Sequence, residues 1–360
     1  MQTNHTANSI LFTPVTLGQL VLDNRIIMAP LTRCRADSAT RVPTDIMATY
    51  YQQRATAGLI ITEATSVCPM GVGYPRTPGI WSEAQIEGWK KVTDSVHKAN
   101  GKILLQLWHV GRISDPIYLD DKLPLAPSAV KPQGHPSLVR PIRDFETPKA
   151  MTLDEIEQTI EAYRQGAENA KKAGFDGVEI HGANGYLLDQ FLQDSTNKRE
   201  DYYGGSLENR ARFMLEVTDA VVDVWGSGRV GMHLAPRCDA HDMGDSDPLL
   251  TFTYIAEQLG KRNLAFIFAR ANLGKDNLAQ KLKDAFGGPY IVNQQLSKLE
   301  AEAVIELGCA DAAAWGQLFI ANPDLVERFK YDTKRNVPDS TTFYHEGREG
   351  YIDYPFMETN

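Results

Sequence analysis

Eight short runs that are apolar throughout, spaced along the chain with helical segments between them, limit what this sequence can fold into more than any other feature. They are Arg25 to Met28, Leu59 to Thr62, Ile103 to Leu105, Gly177 to Ile180, Val230 to Leu234, Leu264 to Ala269, Tyr290 to Val292 and Ala312 to Trp315. A strand exposed on one face alternates apolar and polar residues, so uninterrupted runs of this length suit parallel strands covered on both faces.

The intervening segments carry helix punctuation. Ser82 with Gln85, Thr152 with Glu155 and Ser297 with Glu300 have the spacing of capping boxes, and Ser206 precedes a fourth helix. Apolar residues recur at three and four: Ile86, Trp89, Val92 and Val96; Ile156, Ile160, Tyr163 and Ala167; Met214, Val217, Val221 and Val224. The stops are Asn100-Gly101, Gly174, Gly226 and Gly308. Each helix therefore has one buried stripe.

Strands that alternate with helices imply right-handed βαβ crossovers. Eight alternations with no G-x-G-x-x-G after the first strand favour a closed (β/α)8 barrel, a TIM barrel, over a Rossmann sheet. Residues 1 to 360 then form one barrel domain. Two stretches lie outside the repeat: a long Pro-rich connection after strand three, 109 to 150, whose length points to a functional loop or lid, and an irregular C-terminal tail.

In such a barrel the active site lies at the C-terminal ends of the strands. Those positions are polar here: Pro30, Thr32 and Arg33 after strand one, Glu63, Ala64 and Thr65 after strand two, and Gln106, Trp108 and His109 at strand three. Strand four is followed by His181-Gly182-Ala183-Asn184-Gly185-Tyr186. His181 and Asn184 offer two hydrogen-bond donors for a carbonyl oxygen, and Tyr186 a phenol that can release a proton. Any one of them alone reads more simply as packing. Together at a strand end they read as a site.

Composition narrows the partners. The 46 carboxylates outnumber the 37 Lys and Arg, which argues against a nucleic-acid or anionic-membrane surface and leaves a small-molecule substrate. There is no apolar run of about 18 residues, and the first residues lack the basic and apolar blocks of a signal peptide, so a cytoplasmic protein is expected. The four cysteines, Cys34, Cys68, Cys238 and Cys309, form no C-x-x-C pair and read as free thiols. Cys34 falls near the mouth without an evident base beside it and reads as a structural thiol. His109 and His135 lack a third ligand at metal-like spacing, so no metal site is expected and both read as solvated loop histidines. The acidic run Asp115 to Asp121 reads as loop surface, and Met28 and Met232 as core.

From about Leu11 to Tyr354 the chain resembles the Old Yellow Enzyme family. The resemblance rests on Asn24-Arg25-Ile26-Ile27-Met28-Ala29-Pro30-Leu31-Thr32-Arg33, on Gln106-Leu107-Trp108-His109-Val110-Gly111-Arg112 and on Phe319-Ile320-Ala321-Asn322-Pro323-Asp324-Leu325. The most specific segment is Asn197-Lys198-Arg199-Glu200-Asp201-Tyr202-Tyr203-Gly204-Gly205-Ser206-Leu207-Glu208-Asn209-Arg210. The resemblance implies FMN over the barrel mouth, with Thr32 and Gln106 bonded to its ring and Pro30 and Ala64 lining it. It implies an ene-reductase: NADPH or NADH reduces the flavin and leaves, and an α,β-unsaturated carbonyl compound then takes hydride at its β-carbon. The substrate oxygen would be held by His181 and Asn184, the α-carbon protonated by Tyr186, and the pocket shaped by Trp108 and Tyr351.

The sequence departs from this pattern around the cofactor. Where many members carry Arg in strand five, this chain has His233, a weaker and pH-dependent cation. The strand-seven loop, usually small or glycine-rich near the phosphate, reads Asn293-Gln294-Gln295, and Gly316 is followed by Gln317 where many relatives have Arg. Arg237 and Arg270 lie at strand ends where a phosphate could be met. The flavin-dependent reading covers activated alkenes and nitro compounds. Its alternative is a flavin-free barrel in which His181, Asn184 and Tyr186 polarise an enone for isomerisation or addition, or serve binding alone.

Overall fold

The computed structural model describes residues 9–236, 240–270 and 278–358. Its centre is a ring of eight parallel strands: β1 (Ile26–Met28), β2 (Leu59–Ile61), β3 (Ile103–Trp108), β4 (Gly177–His181), β5 (Val230–Leu234), β6 (Phe266–Arg270), β7 (Tyr290–Asn293) and β8 (Ala312–Trp315). Neighbours in sequence are neighbours in the sheet, and Ala314 of β8 pairs with Ile27 of β1, which closes the ring. The eight runs read from the sequence are these eight strands.

Closure explains their uniform apolarity. Ile27, Leu59, Ile61, Leu104, Phe266, Phe268, Ile291 and Ala312 form one buried cluster inside the barrel. The residues between them in sequence, such as Ile26, Ile60, Ile103, Leu105, Ile267 and Val292, belong to a second cluster packed under the helices. Successive side chains point to opposite faces of a strand, so both phases must be apolar. Gly231 shows how tightly the interior is filled: a Cβ there would come within 2.2 Å of the Phe266 ring. A hairpin, Val15–Leu17 with Leu20–Leu22, puts Leu17, Leu20 and Leu22 into the inner cluster. Gln19 N donates to Gly228 O, just before β5, so the hairpin plugs the N-terminal end and leaves the opposite end for chemistry.

The helices start and stop as their sequence signals direct. Helix α1 spans Asp45–Gln52, α2 Glu83–Lys98, α3 Leu153–Lys172, α4 Leu187–Leu192 and α5 Leu207–Trp225. The remainder are α6 (Pro248–Lys261), α7 (Leu278–Phe286), α8 (Lys298–Glu306), α9 (Gln317–Ala321) and α10 (Leu325–Lys330). Reciprocal capping boxes form at Ser82/Gln85, Thr152/Glu155 and Ser297/Glu300, and Ser206 accepts from Asn209 N. Such caps stabilise a helix by about 1 kcal/mol each. Gly174, Gly226 and Gly308 end α3, α5 and α8 with φ of 84°, 73° and 74°. No helix among the described residues is long and apolar enough to cross a membrane.

The connection from 109 to 150 is tied down. Leu125–Ala126 pairs in parallel with Lys149–Ala150, and Arg199 donates to the carbonyls of Pro127 and Met151 on either side of that ladder. Arg199 also forks onto Asp201 at 3.0 and 2.6 Å, so the long family-like segment after strand four acts here as a structural brace. Two expectations about this region need correction. Asp115 is not loop surface: it is buried, caps Pro116–Tyr118 and pairs with Arg143, while Asp120 and Asp121 are exposed. His109 is not solvated either. It is buried, its Nδ1 accepts from Gly111 N at 3.1 Å, and burial holds its pKa down at about 3. His135 is exposed.

Candidate active site

Strand β4 delivers His181 to the mouth, and the turn that follows folds back over it. Asn184 and Gly185 adopt left-handed backbone, φ 57° and 76°. The turn is pinned from below, because Gly185 N donates to the buried Asp189 carboxyl and Gln190 Nε2 to Gly185 O. Gly182 N donates to His233 O, fixing the loop to β5. Tyr186 then caps the start of α4. The consequence is that His181 and Tyr186, five residues apart in sequence, meet ring to ring, while Asn184 between them lines the cavity beside them.

Their rings pack edge to face. Tyr186 lies 5.0 Å from His181 at 81° and 4.9 Å from Trp108 at 87°, centroid to centroid. His181 in turn stacks on His233 at 5.1 Å and 7°. Ala64 packs in the same cluster as Trp108, Tyr74 and Tyr186. Trp108 Nε1, His181 Nδ1 and His233 Nε2 are buried polar atoms with no hydrogen-bond partner among the described residues. Burial, the nearby His241 and the Arg270 guanidinium hold the His181 pKa down at about 3, so it is a neutral imidazole.

Beneath this layer, Gln106, Glu179 and His233 form a buried group. Gln106 Nε2 donates to Glu179 Oε2 at 2.6 Å and lies 3.2 Å from His233 Nδ1. Glu179 and His233 are 3.7 Å apart, the geometry of an ion pair. Burial opposes ionisation of both, pushing Glu179 up to about 8 and His233 well below the usual histidine range. The Gln106 bond offsets only part of the Glu179 desolvation, so the pair is neutral near pH 7.

Around them a cavity of about 490 Å³ opens at the C-terminal ends of the strands, lined by Ala29, Pro30, Leu31, His233, Asn293, Gln294, Gln295, Gly316 and Gln317 among others. A larger cavity, about 740 Å³, lies between α3 and the long connection, away from these groups.

Comparison with known proteins settles the family. The model of the NADH:flavin oxidoreductase / NADH oxidase family matches residues 10–336. The chain belongs to that family. It is 44% identical to 12-oxophytodienoate reductase 1 of Oryza sativa subsp. japonica, over 97% of this chain and 93% of that protein. It is 42% identical to a probable flavin mononucleotide-dependent alkene reductase of Leishmania infantum, over 97% and 98%. Morphinone reductase in complex with tetrahydroNAD superposes with a TM-score of 0.94 at 45% identity, covering 98% of each chain. The Old Yellow Enzyme homologue of Zymomonas mobilis superposes with 0.93 at 41% identity, covering 96% of this chain and 99% of that one. The protein is thus an FMN-dependent oxidoreductase of the alkene-reductase kind, with a reduced nicotinamide cofactor as its electron source.

The site fits this family's cofactor unevenly. Ala29, Pro30 and Leu31 give the cavity an apolar wall, and His233, whose buried Nε2 has no partner among the described residues, lines it too, a combination that suits a flat heterocycle with polar edges. At the phosphate end, Gln294 and Gln295 keep φ of 119° and 52°, a backbone that favours glycine, while carrying amide side chains. Among the described residues that line the cavity, the cation is Arg270, whose Nε donates to Gln294 Oε1 at 2.8 Å and whose Nη1 donates to Asn184 Oδ1 at 3.0 Å. Arg237 lies outside the described residues.

Of the residues singled out from sequence, Pro30, His233, Asn184, Asn293, Gly316 and Gln317 line the cavity, and His181, Tyr186, Trp108 and Ala64 share one cluster beside it. Thr32 follows β1 half-buried. Tyr351 does not line this cavity; it is fully buried, stacked on Tyr50 at 4.1 Å with the Arg33 and Arg35 guanidiniums over its ring. That tail-to-barrel clasp is completed by Arg33 donating to the carbonyls of Phe343 and Gly350. Cys34 is buried, with its thiol pushed up to about 12, and is inert. Cys34, Cys68 and Cys309 are free, and Cys238 lies outside the described residues. Sequence reasoning missed Tyr74, Glu179 and His241. Tyr74 OH meets Tyr186 OH at 3.0 Å, and His241 Nδ1 meets Asn184 O at 2.7 Å.

Proposed function

We propose that this chain reduces the C=C bond of α,β-unsaturated carbonyl compounds and of nitroalkenes, taking its electrons from NADPH or NADH. The His181–Tyr186 ring contact at the end of β4, with Asn184 in the cavity wall beside it, carries this reading. When bound, FMN supplies the redox step. The protein's own residues do the rest.

Pro30 and Ala64 would line the flavin ring, Thr32, Gln106 and His233 would offer hydrogen bonds to it, and Asn293, Gly316 and Gln317 would hold the rest of the group. His181 and the Asn184 amide donate to the substrate oxygen and stabilise the negative charge that develops there. Because His181 is held neutral, it does so as a hydrogen-bond donor rather than as a cation. Trp108 packs at the edge of the pocket and keeps Tyr186 upright. Tyr186, whose ring packs on that of His181, delivers a proton to the α-carbon.

The test is enone-dependent oxidation of NADPH with cyclohexenone. Tyr186→Phe should lower kcat by about 10²-fold or more, as loss of a general acid does. His181→Ala should lower kcat/KM by a similar factor through loss of an oxyanion donor. Wild-type rates in both variants, with flavin bound, would remove the assignment.

A further inference from the structure

Tyr186 cannot act twice unless its proton is replaced, and the structure shows a route for the replacement. The Tyr74 hydroxyl lies 3.0 Å from that of Tyr186 on one side and 3.5 Å from His241 Nε2 on the other. Tyr74 is itself oriented by stacking on Trp108 at 5.6 Å and 15°. The state of His241 follows from its second bond. Its Nδ1 lies 2.7 Å from the backbone oxygen of Asn184, and a carbonyl oxygen only accepts, so Nδ1 carries the hydrogen. In the neutral ring Nε2 is then the lone pair facing Tyr74. Tyr186, Tyr74 and His241 thus form an unbroken line of exchangeable groups, and His241 is its half-exposed end.

We infer that His241 and Tyr74 are the proton-delivery path to Tyr186, with Nε2 of His241 as the point of entry from water. The inference rests on the reading of Tyr186 as the acid. In the step itself, the electron pair of the enolate takes the Tyr186 proton, forming the α-carbon C–H bond and breaking the phenolic O–H bond. The Tyr186 phenolate takes the Tyr74 proton, and the Tyr74 phenolate takes the Nε2 proton of a His241 imidazolium that has drawn it from water. One proton moves from solvent to carbon, and no electrons move along the line.

The surroundings set how readily His241 accepts that proton. Burial lowers its pKa, the bond to Asn184 raises it, and Arg112 and Arg270 lower it again. Arg112 Nη2 also donates to the backbone oxygens of His241 and Asp242, and the Tyr186 ring lies 5.1 Å away at 49°. His241 therefore rests neutral and is charged only in passing, when a phenolate forms beside it.

The test uses the FMN-loaded full chain with NADPH and cyclohexenone. In His241→Phe and in Tyr74→Phe, turnover should fall on the order of tenfold, most strongly at high pH, with a raised solvent isotope effect. Flavin reduction by NADPH should stay at the wild-type rate, and added imidazole should restore His241→Phe. Visible absorbance of bound flavin checks that each variant is folded. A wild-type pH profile and isotope effect in both variants, beside a Tyr186→Phe that has lost activity, would overturn the path while leaving Tyr186 as the acid. Full activity in Tyr186→Phe would overturn both.

Discussion

Arg270 donates from Nη1 to the side-chain oxygen of Asn184 over 3.0 Å, so a residue of β6 fixes the orientation of an amide carried by the β4 turn. An amide whose oxygen is engaged in this way turns its NH2 away from Arg270 and keeps it available as a donor. The same guanidinium holds Gln294 through Nε, which keeps it from drifting off Asn184.

Removing that contact should loosen the amide without removing it. Arg270→Met is expected to raise KM for cyclohexenone and lower kcat/KM about tenfold, the value of one hydrogen bond to a charged group. Arg270→Lys should restore part of the loss. Steady-state kinetics that separate KM from kcat check this, and unchanged values in Arg270→Met would show that Asn184 is held by other means.

The phosphate end predicts a gain. Gln317 stands where the family resemblance implies Arg, and it lines the cavity together with Asn293, Gln294 and Gln295. Gln317→Arg should add a charge-assisted contact and tighten FMN by roughly tenfold or more, while leaving riboflavin, which lacks the phosphate, little changed. Fluorescence titration of the apoprotein with both flavins measures the ratio. Equal tightening of the two would place Gln317 away from the phosphate.

The barrel was legible because closure leaves no strand face polar, and because capping boxes at Ser82, Thr152 and Ser297 mark helix starts with side-chain chemistry that survives folding. The trio His181, Asn184 and Tyr186 was legible because one turn holds it. Residues that reach the site from other loops were not. Tyr74 is 112 residues from Tyr186 in sequence, and no local pattern announces their contact. Glu179 hides inside an apolar run and reads as strand. The same blindness to tertiary packing misplaced His109 and Asp115, which sit in loop sequence yet are buried, and it hid the stacking of Tyr351 on Tyr50.

The family-like segment after strand four makes a structural prediction. Arg199 is largely buried and satisfies the carbonyls of Pro127 and Met151 as well as Asp201. Arg199→Ala leaves those groups unpaired and should cost about 2–4 kcal/mol. Urea denaturation should show the midpoint fall, with the flavin-bound fraction retaining its kcat. A stable variant with lowered kcat would instead tie the segment to chemistry.

Glu179 should make stability fall as pH rises. Below the ordinary carboxylate range it is protonated in both folded and unfolded chains, so it contributes no pH dependence. Above that range the unfolded chain releases its proton, while the buried carboxyl keeps its own until about 8. The unfolded state then binds fewer protons, and the folded state loses about 1.4 kcal/mol per pH unit across that window from this group. Depressed histidines such as His181 act in the opposite sense between about 3 and the usual histidine range. The two effects offset at mildly acid pH, and the carboxyl acts unopposed by them between neutral pH and 8. Glu179→Gln mimics the protonated form, so urea unfolding at pH 6.5 and 8 should show a smaller loss in the variant than in the wild type. An equal loss would mean that Glu179 is already ionised in the folded protein, with His233 as its imidazolium partner.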